Sequence, residues 1–259
     1  MVIFPIMLMM QIWAIMWDKK FIYALMVFLL AACFQANAKV YLVSVGIADY
    51  PGTSSDLSLP VKDAKTITWL YSKNSNVEYK QLLDSRATKS NIIDAMTTLF
   101  AKAGRDDIVV LFFSGHGYPG GFSAYDGYLD YASIRKAMAK SRSRNKMIFA
   151  DACFAGKLRE GRPQHSQSSV NSAKKAQVML FLSSRSDEVS REIPSMQNGF
   201  FTTYLQKGLR GNADANRDRT ITAKELFDFV SEGVIKISNG KQHPVMWGKF
   251  PDNMPVMVW

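Results

Sequence analysis

Two residues of this chain have the chemistry of a nucleophile and its proton-transfer partner. His116 stands between Gly115 and Gly117, just past an apolar run over 108–113. Glycines on both sides let the backbone turn sharply and leave the imidazole at the end of a strand, where it can pass a proton. Cys153 follows a second apolar run over 147–150, within Asp151-Ala152-Cys153-Phe154-Ala155-Gly156. A thiol in that position is a strong nucleophile once a neighbouring base or cation lowers its pKa from about 8.5. Taken singly, a histidine is more often structural and a cysteine more often a small buried hydrophobe. Together, at the ends of two strands in a chain with only 2 cysteines, they are hard to explain by packing.

The elements that must position them follow from the spacing of apolar residues. A β-branched and aromatic run over 39–47 predicts a buried strand, and Val61, Ala64, Ile67 and Leu70 or Tyr71 predict a helix over 60–73. A strand over 77–83 leads to a helix capped by the Thr88 hydroxyl, with Ile92, Ile93, Met96, Leu99 and Phe100 inward and Gly104 closing it. The runs over 108–113 and 147–150 read as strands separated by a helix over 131–140. A strand over 178–182, helices over 200–209 and 223–237, and a short strand over 244–247 complete the chain. Strands alternating with helices imply a mostly parallel sheet covered on both faces, a three-layer α/β/α sandwich. In such sheets sites form outside the carboxyl ends of the strands, where His116 and Cys153 both fall.

The segments Leu111-Phe112-Phe113-Ser114-Gly115-His116-Gly117 and Asp151-Ala152-Cys153-Phe154-Ala155-Gly156, in that order, resemble the histidine and cysteine motifs of the caspase-like peptidases. That family includes caspases, metacaspases and their bacterial relatives, and the likeness covers roughly 39–247, diffusely outside the two motifs. The resemblance implies the caspase-like fold and a cysteine endopeptidase acting through a Cys-His dyad. Cys153 would form a thioester, His116 would protonate the leaving amine, and the backbone N–H groups of Gly117 and Cys153 would receive the oxyanion. No third triad member is evident, and the family requires none. The alternative is a catalytically silent caspase-fold binding module, with calcium as a candidate ligand; retention of both Cys153 and His116 speaks for the enzyme.

Asp151, two residues before Cys153, would place a carboxylate beside the pocket for the substrate side chain, where it would attract a cation. In metacaspase-like members the matching acidic residue, the serine of the histidine motif and an earlier aspartate in an Asp-Ala pair line a pocket for Arg or Lys. The resemblance identifies these here as Asp151, Ser114 and Asp63, and implies cleavage after Arg or Lys. For Asp63 a second reading is equally open, an exposed carboxylate favoured by the start of its helix.

Between 157 and 177 the pattern lapses into Gly, Pro, Ser, Gln and basic residues, a flexible surface loop. Its Lys157, Arg159, Arg162, Lys174 and Lys175 make it either a self-cleavage segment or a plain basic loop. Residues 214–225 have the donor spacing of a twelve-residue calcium loop, with Asp214, Asn216, Asp218, Thr220, Thr222 and Glu225 as candidate ligands. Arg219 stands where that loop wants glycine. A polar turn in which Thr222 and Glu225 form a capping box accounts for the same residues.

Residues 1–38 read as a secretory signal, with basic residues near a start at Met16, an apolar run over 21–32 and the cleavage pattern Ala36-Asn37-Ala38. The mature peptidase domain, 39–259, would then be periplasmic or secreted. Two other readings are a membrane anchor over 2–33 and a lipoprotein box ending at Cys33. Cleavage after Ala38 leaves Cys153 as the single cysteine, which excludes an internal disulfide. The formal charge of +10 is diffuse, and its densest part, 136–146, lacks the interleaved aromatics of a nucleic-acid groove. It reads as a solvated face. Protein or peptide substrates are the expected partners, nucleic acid is not, and no cofactor is required.

Overall fold

The computed structural model describes residues 38–74, 76–118, 120–152, 178–184 and 197–258. The leader, Cys33, Cys153 and the 157–177 loop lie outside them.

β1 (Val40–Gly46), β3 (Ile108–Gly115), β7 (Asn145–Ala152) and β8 (Val178–Leu182) are buried almost throughout, as continuous apolar runs require when both sheet faces are covered. With β2 (Val77–Leu83) and β10 (Val245–Trp247) they form a six-stranded sheet in the order β10-β8-β7-β3-β1-β2. All neighbours are parallel except β10, which runs antiparallel to β8 at one edge.

Side chains alternate between two cores. Tyr41, Val43 and Val45 face helices α2 (Lys89–Phe100) and α3 (Tyr131–Met138). Val40 and Leu42 face α1 (Pro60–Asn74), α4 (Phe200–Lys207) and α5 (Ala223–Ile237). The expected three-layer arrangement is therefore present, and the hydroxyl of Thr88 caps α2 by accepting from Asn91 N.

β3 and β7 each run two residues beyond their apolar cores, because the parallel register continues through Ser114 opposite Asp151 and Gly115 opposite Ala152. The polar residues are thus still strand. After Gly115 the chain enters an antiparallel ribbon of β4 (Gly117–Tyr118), β5 (Gly121–Ala124) and β6 (Gly127–Asp130), strands too short for alternation to announce. A second small pair joins β9 (Thr220–Thr222) to β11 (Pro255–Val258). The helix expected over 200–209 ends at Lys207, and a wider turn over Gly208–Asn212 follows, with Gly211 at φ 109°. The basic stretch 136–146 is exposed at Lys136, Lys140, Arg142 and Arg144, but Lys146 lies within β7, only 8% exposed, and burial lowers its pKa.

Candidate active site

The first turn of α1 and the carboxyl ends of β3 and β7 bring three side chains from distant parts of the chain into one buried cluster. Asp63 sits in the first turn of α1, where unpaired helix amides favour a carboxylate, yet it is 1% exposed rather than at the surface. Its Oδ2 accepts a hydrogen bond from Ser114 Oγ at 2.8 Å. Its Oδ1 accepts from Asn198 Nδ2 at 2.7 Å and from Gly199 N at 3.3 Å.

Asp151, the penultimate residue of β7, is also buried. Its Oδ2 accepts from Thr202 N at 3.1 Å and from Thr202 Oγ1 at 2.8 Å. The N-cap of α4 is Gly199, which has no side chain to cap with, so Asp151 performs that task from the neighbouring strand. A Cβ at position 199 would stand 2.6 Å from Asp151 Oδ2, so the approach requires glycine.

Burial pushes the Asp63 carboxyl up to about 8, and the Asp151 carboxylate beside it adds to the rise. Two buried carboxyl groups this close repel as anions. A cation brought to Asp63 would relieve that repulsion, and a guanidinium has the donor geometry to pair with a carboxylate.

His116 is held at the same sheet edge by the loop between β1 and α1. Its Nε2 lies 2.7 Å from the carbonyl oxygen of Ser55, in a 3₁₀ turn over Thr53–Ser55. A carbonyl only accepts, so Nε2 carries the proton and Nδ1 is left for exchange with a reacting group. The Tyr50 ring lies against the imidazole, with centroids 4.8 Å apart. Ser123 N donates to His116 O at 2.9 Å, which makes His116 and Ser123 a hydrogen-bonded antiparallel pair. Gly117, next in the register opposite Phe122, then takes the non-bonded position, with its N–H turned away from β5.

Of the residues singled out in the sequence, Asp63, Ser114 and Asp151 are thus together, and His116 and Gly117 follow directly on the strand that carries Ser114. Cys153 is outside the described residues. Its predecessor Ala152 pairs with Gly115, the predecessor of His116.

The candidate calcium ligands form a separate loop. Asp214 carboxylate oxygens accept from Asp218 N and Arg219 N, Asn216 Oδ1 accepts from Asp218 N, and Asp218 Oδ1 accepts from Thr220 N. Thr222 and Glu225 form a full capping box on α5, and Glu225 Oε1 also accepts from Ala215 N. Arg219 takes a left-handed φ of 67°, the conformation for which glycine is suited. Among the described residues no group of three or more His, Cys, Asp or Glu side chains is arranged to hold a metal.

The sequence reading missed Tyr50, Ser55, Asn198, Gly199 and Thr202. Tyr50 and Ser55 follow the carboxyl end of β1, so the rule that pointed to His116 also covers them. For Asn198 and Thr202 no local signal exists, since each is tied to an aspartate far away in the chain.

A sequence profile of the family described as "Caspase domain" matches residues 40–254. No curated protein matches the chain. Among solved structures, a protein from Geobacter sulfurreducens superposes with a TM-score of 0.61 at 15% identity, covering 82% of this chain and 94% of its own. Caspase-1 from Spodoptera frugiperda superposes with a TM-score of 0.57 at 15% identity, covering 83% of this chain and 87% of its own.

Proposed function

The chain belongs to the caspase-domain family of cysteine peptidases, and from that premise we propose that it is an endopeptidase that cuts after Arg or Lys through Cys153 and His116. The observation that carries the specificity is the buried pair of Asp63 and Asp151, bridged to the sheet by Ser114 and placed at the strand ends that lead to His116 and Cys153.

The Sγ proton of Cys153 passes to His116 Nδ1, and the thiolate attacks the scissile carbonyl carbon, forming a C–S bond while the carbonyl π pair moves to oxygen. That oxyanion takes hydrogen bonds from the N–H groups of Gly117 and Cys153; the outward turn of Gly117 from β5 supports this role. His116, held through Nε2 by Ser55, delivers the Nδ1 proton to the leaving amine as the C–N bond breaks. Water then attacks the thioester, its proton passes to Nδ1, and the thiolate is returned.

Purified mature protein and its Cys153→Ala variant are to be compared on peptides carrying each residue before the scissile bond. Cleavage by wild type alone, after Arg or Lys, is the expected result. Cleavage after Asp but not after Arg would overturn the pocket assignment, and equal cleavage by both proteins would overturn the nucleophile. Export through the 1–38 segment belongs to the same reading. The mass of the mature N-terminus distinguishes cleavage after Ala38 from lipidation at Cys33.

A further inference from the structure

The ribbon that follows His116 contains an irregularity that packing alone does not require. β4 and β5 pair Gly117 with Phe122 and Tyr118 with Gly121, and this register continues to His116 opposite Ser123. Residues opposed in a hydrogen-bonded antiparallel pair exchange two N–H···O bonds. Here only one is made directly, from Ser123 N to His116 O. The other is interrupted by a phenol: His116 N donates to Tyr50 Oη at 2.9 Å, and Tyr50 Oη donates to Ser123 O at 3.2 Å.

The interruption is built into the surrounding residues. A Cβ at Gly115 would stand 2.7 Å from Tyr50 Oη, and Gly115 has φ 155°, so only glycine lets the hydroxyl in. Burial holds the phenol above its ordinary pKa range, which keeps the proton it needs to reach Ser123 O. The loop is fixed in turn, with Tyr50 N donating to Asp56 Oδ1 and both Ala48 N and Asp49 N donating to Asp84 Oδ1. One loop therefore grips His116 at two points, the backbone N–H through Tyr50 and Nε2 through Ser55.

We propose that Tyr50 is a positioning residue for His116, a hydroxyl wedge that replaces one rung of the β4–β5 ladder and so sets where the imidazole and the Gly117 N–H stand. This rests on the reading of His116 as the proton-transfer group. Without the wedge His116 N and Ser123 O would close on each other directly, drawing the histidine backbone towards β5 and the imidazole off the Ser55 carbonyl. On the same reading the substrate side chain is held elsewhere, by Asp63 and Asp151, and the Gly117 N–H serves only the developing oxyanion, so the loss falls on the chemical step.

Tyr50→Phe keeps the ring and removes the wedge. On an Arg-ended peptide kcat is expected to fall about tenfold or more, as small misplacements of a reacting group do, with KM changed by less than about twofold. Side-chain ¹⁵N spectra of His116, recorded in a Cys153→Ala background so that no activity is needed, are expected to lose the single Nε2–H tautomer. An unchanged kcat with an unchanged tautomer would overturn the proposal. So would a kcat loss matched by lost thermal stability with the tautomer intact, because that marks a merely structural tyrosine. A changed tautomer in a protein whose wild type cuts no peptide would support the wedge and remove the peptidase reading instead. If Tyr50→Phe does not fold, 3-fluorotyrosine at position 50 preserves the fit and weakens the hydroxyl as an acceptor. It is expected to lower kcat while keeping KM, and no change in kcat would overturn the proposal.

Discussion

Ser114 donates its hydroxyl proton to Asp63 at 2.8 Å, and both side chains are buried between α1 and the carboxyl end of β3. The serine, with Asn198 and Gly199, satisfies the carboxyl group without neutralising it. The charge is therefore left to be balanced by a proton or by a bound cation, and the two compete for the same carboxyl group.

In the absence of a cation the folded protein holds the Asp63 proton up to a pH of about 8, whereas an unfolded aspartate loses it near 3.9. Because the folded value is raised, this group's contribution to stability is full below the unfolded value and is lost as pH rises through the folded one. A side-chain amide at this position mimics the protonated acid at every pH. Asp63→Asn is expected to be the more stable protein at pH 9, by on the order of 1–3 kcal/mol, and to match wild type near pH 4. Thermal melts across that range check this, and parallel curves would contradict it.

The same proton must leave before a guanidinium can be paired. The KM of wild type for an Arg-ended peptide is therefore expected to fall as pH rises towards 8, while that for a neutral-ended peptide stays flat. Asp63→Asn should abolish the difference. Steady-state kinetics with the two peptides at several pH values is the measurement.

Asp151 has two tasks, and two substitutions separate them. Asp151→Asn keeps an oxygen for Thr202 N and is expected to retain the α4 cap while losing about 2–3 kcal/mol of preference for Arg. Asp151→Ala should lose that preference and in addition about 1 kcal/mol of stability, since α4 then has no side-chain cap. Equal melting temperatures for the two variants would show that the cap is unimportant.

Asp84 bears φ 45°, an unusual conformation for a residue with a side chain, while its carboxylate accepts from both Ala48 N and Asp49 N. Asp84→Ala is expected to cost about 1–2 kcal/mol and to lower kcat by loosening the loop that carries Ser55. Asp84→Asn, which tolerates the same backbone and keeps an acceptor, should restore most of both. Denaturant unfolding and peptide kinetics test the pair together.

At the separate 214–225 loop, Glu225 closes the capping box and takes the N–H of Ala215. Glu225→Ala is expected to cost about 1 kcal/mol in chelator. Melts repeated with millimolar calcium separate the capping box from an ion site. A stability gap that widens with calcium would assign Glu225 to an ion, and a constant gap assigns it to the helix start.

The apolar runs by themselves determined the alternation of strands and helices, because burial on both sheet faces demands continuous hydrophobic strands and burial of one helix face demands residues near 3.6 apart. They also placed His116 just past a strand end, and the Thr88 cap was legible because its partner lies three residues away. The alternation broke down at β4, β5 and β6, whose two to four residues are too few to display a period. It could not reveal that Lys146 is buried, since its neighbours in the basic stretch lie in the turn ahead of β7.

Tertiary structure alone decided the character of the site. Asp63 meets Asn198 across 135 positions of chain, Thr202 meets Asp151 across 51, and Tyr50 meets His116 across 66. Nothing in the local sequence sets these partners. They are set by the strand order that puts β1, β3 and β7 side by side, and by glycines at 115 and 199 that admit a polar atom where a Cβ would stand. Apolar burial acts through near neighbours and leaves a repeating pattern, whereas each buried polar group needs one particular partner, supplied wherever the fold brings the chain back.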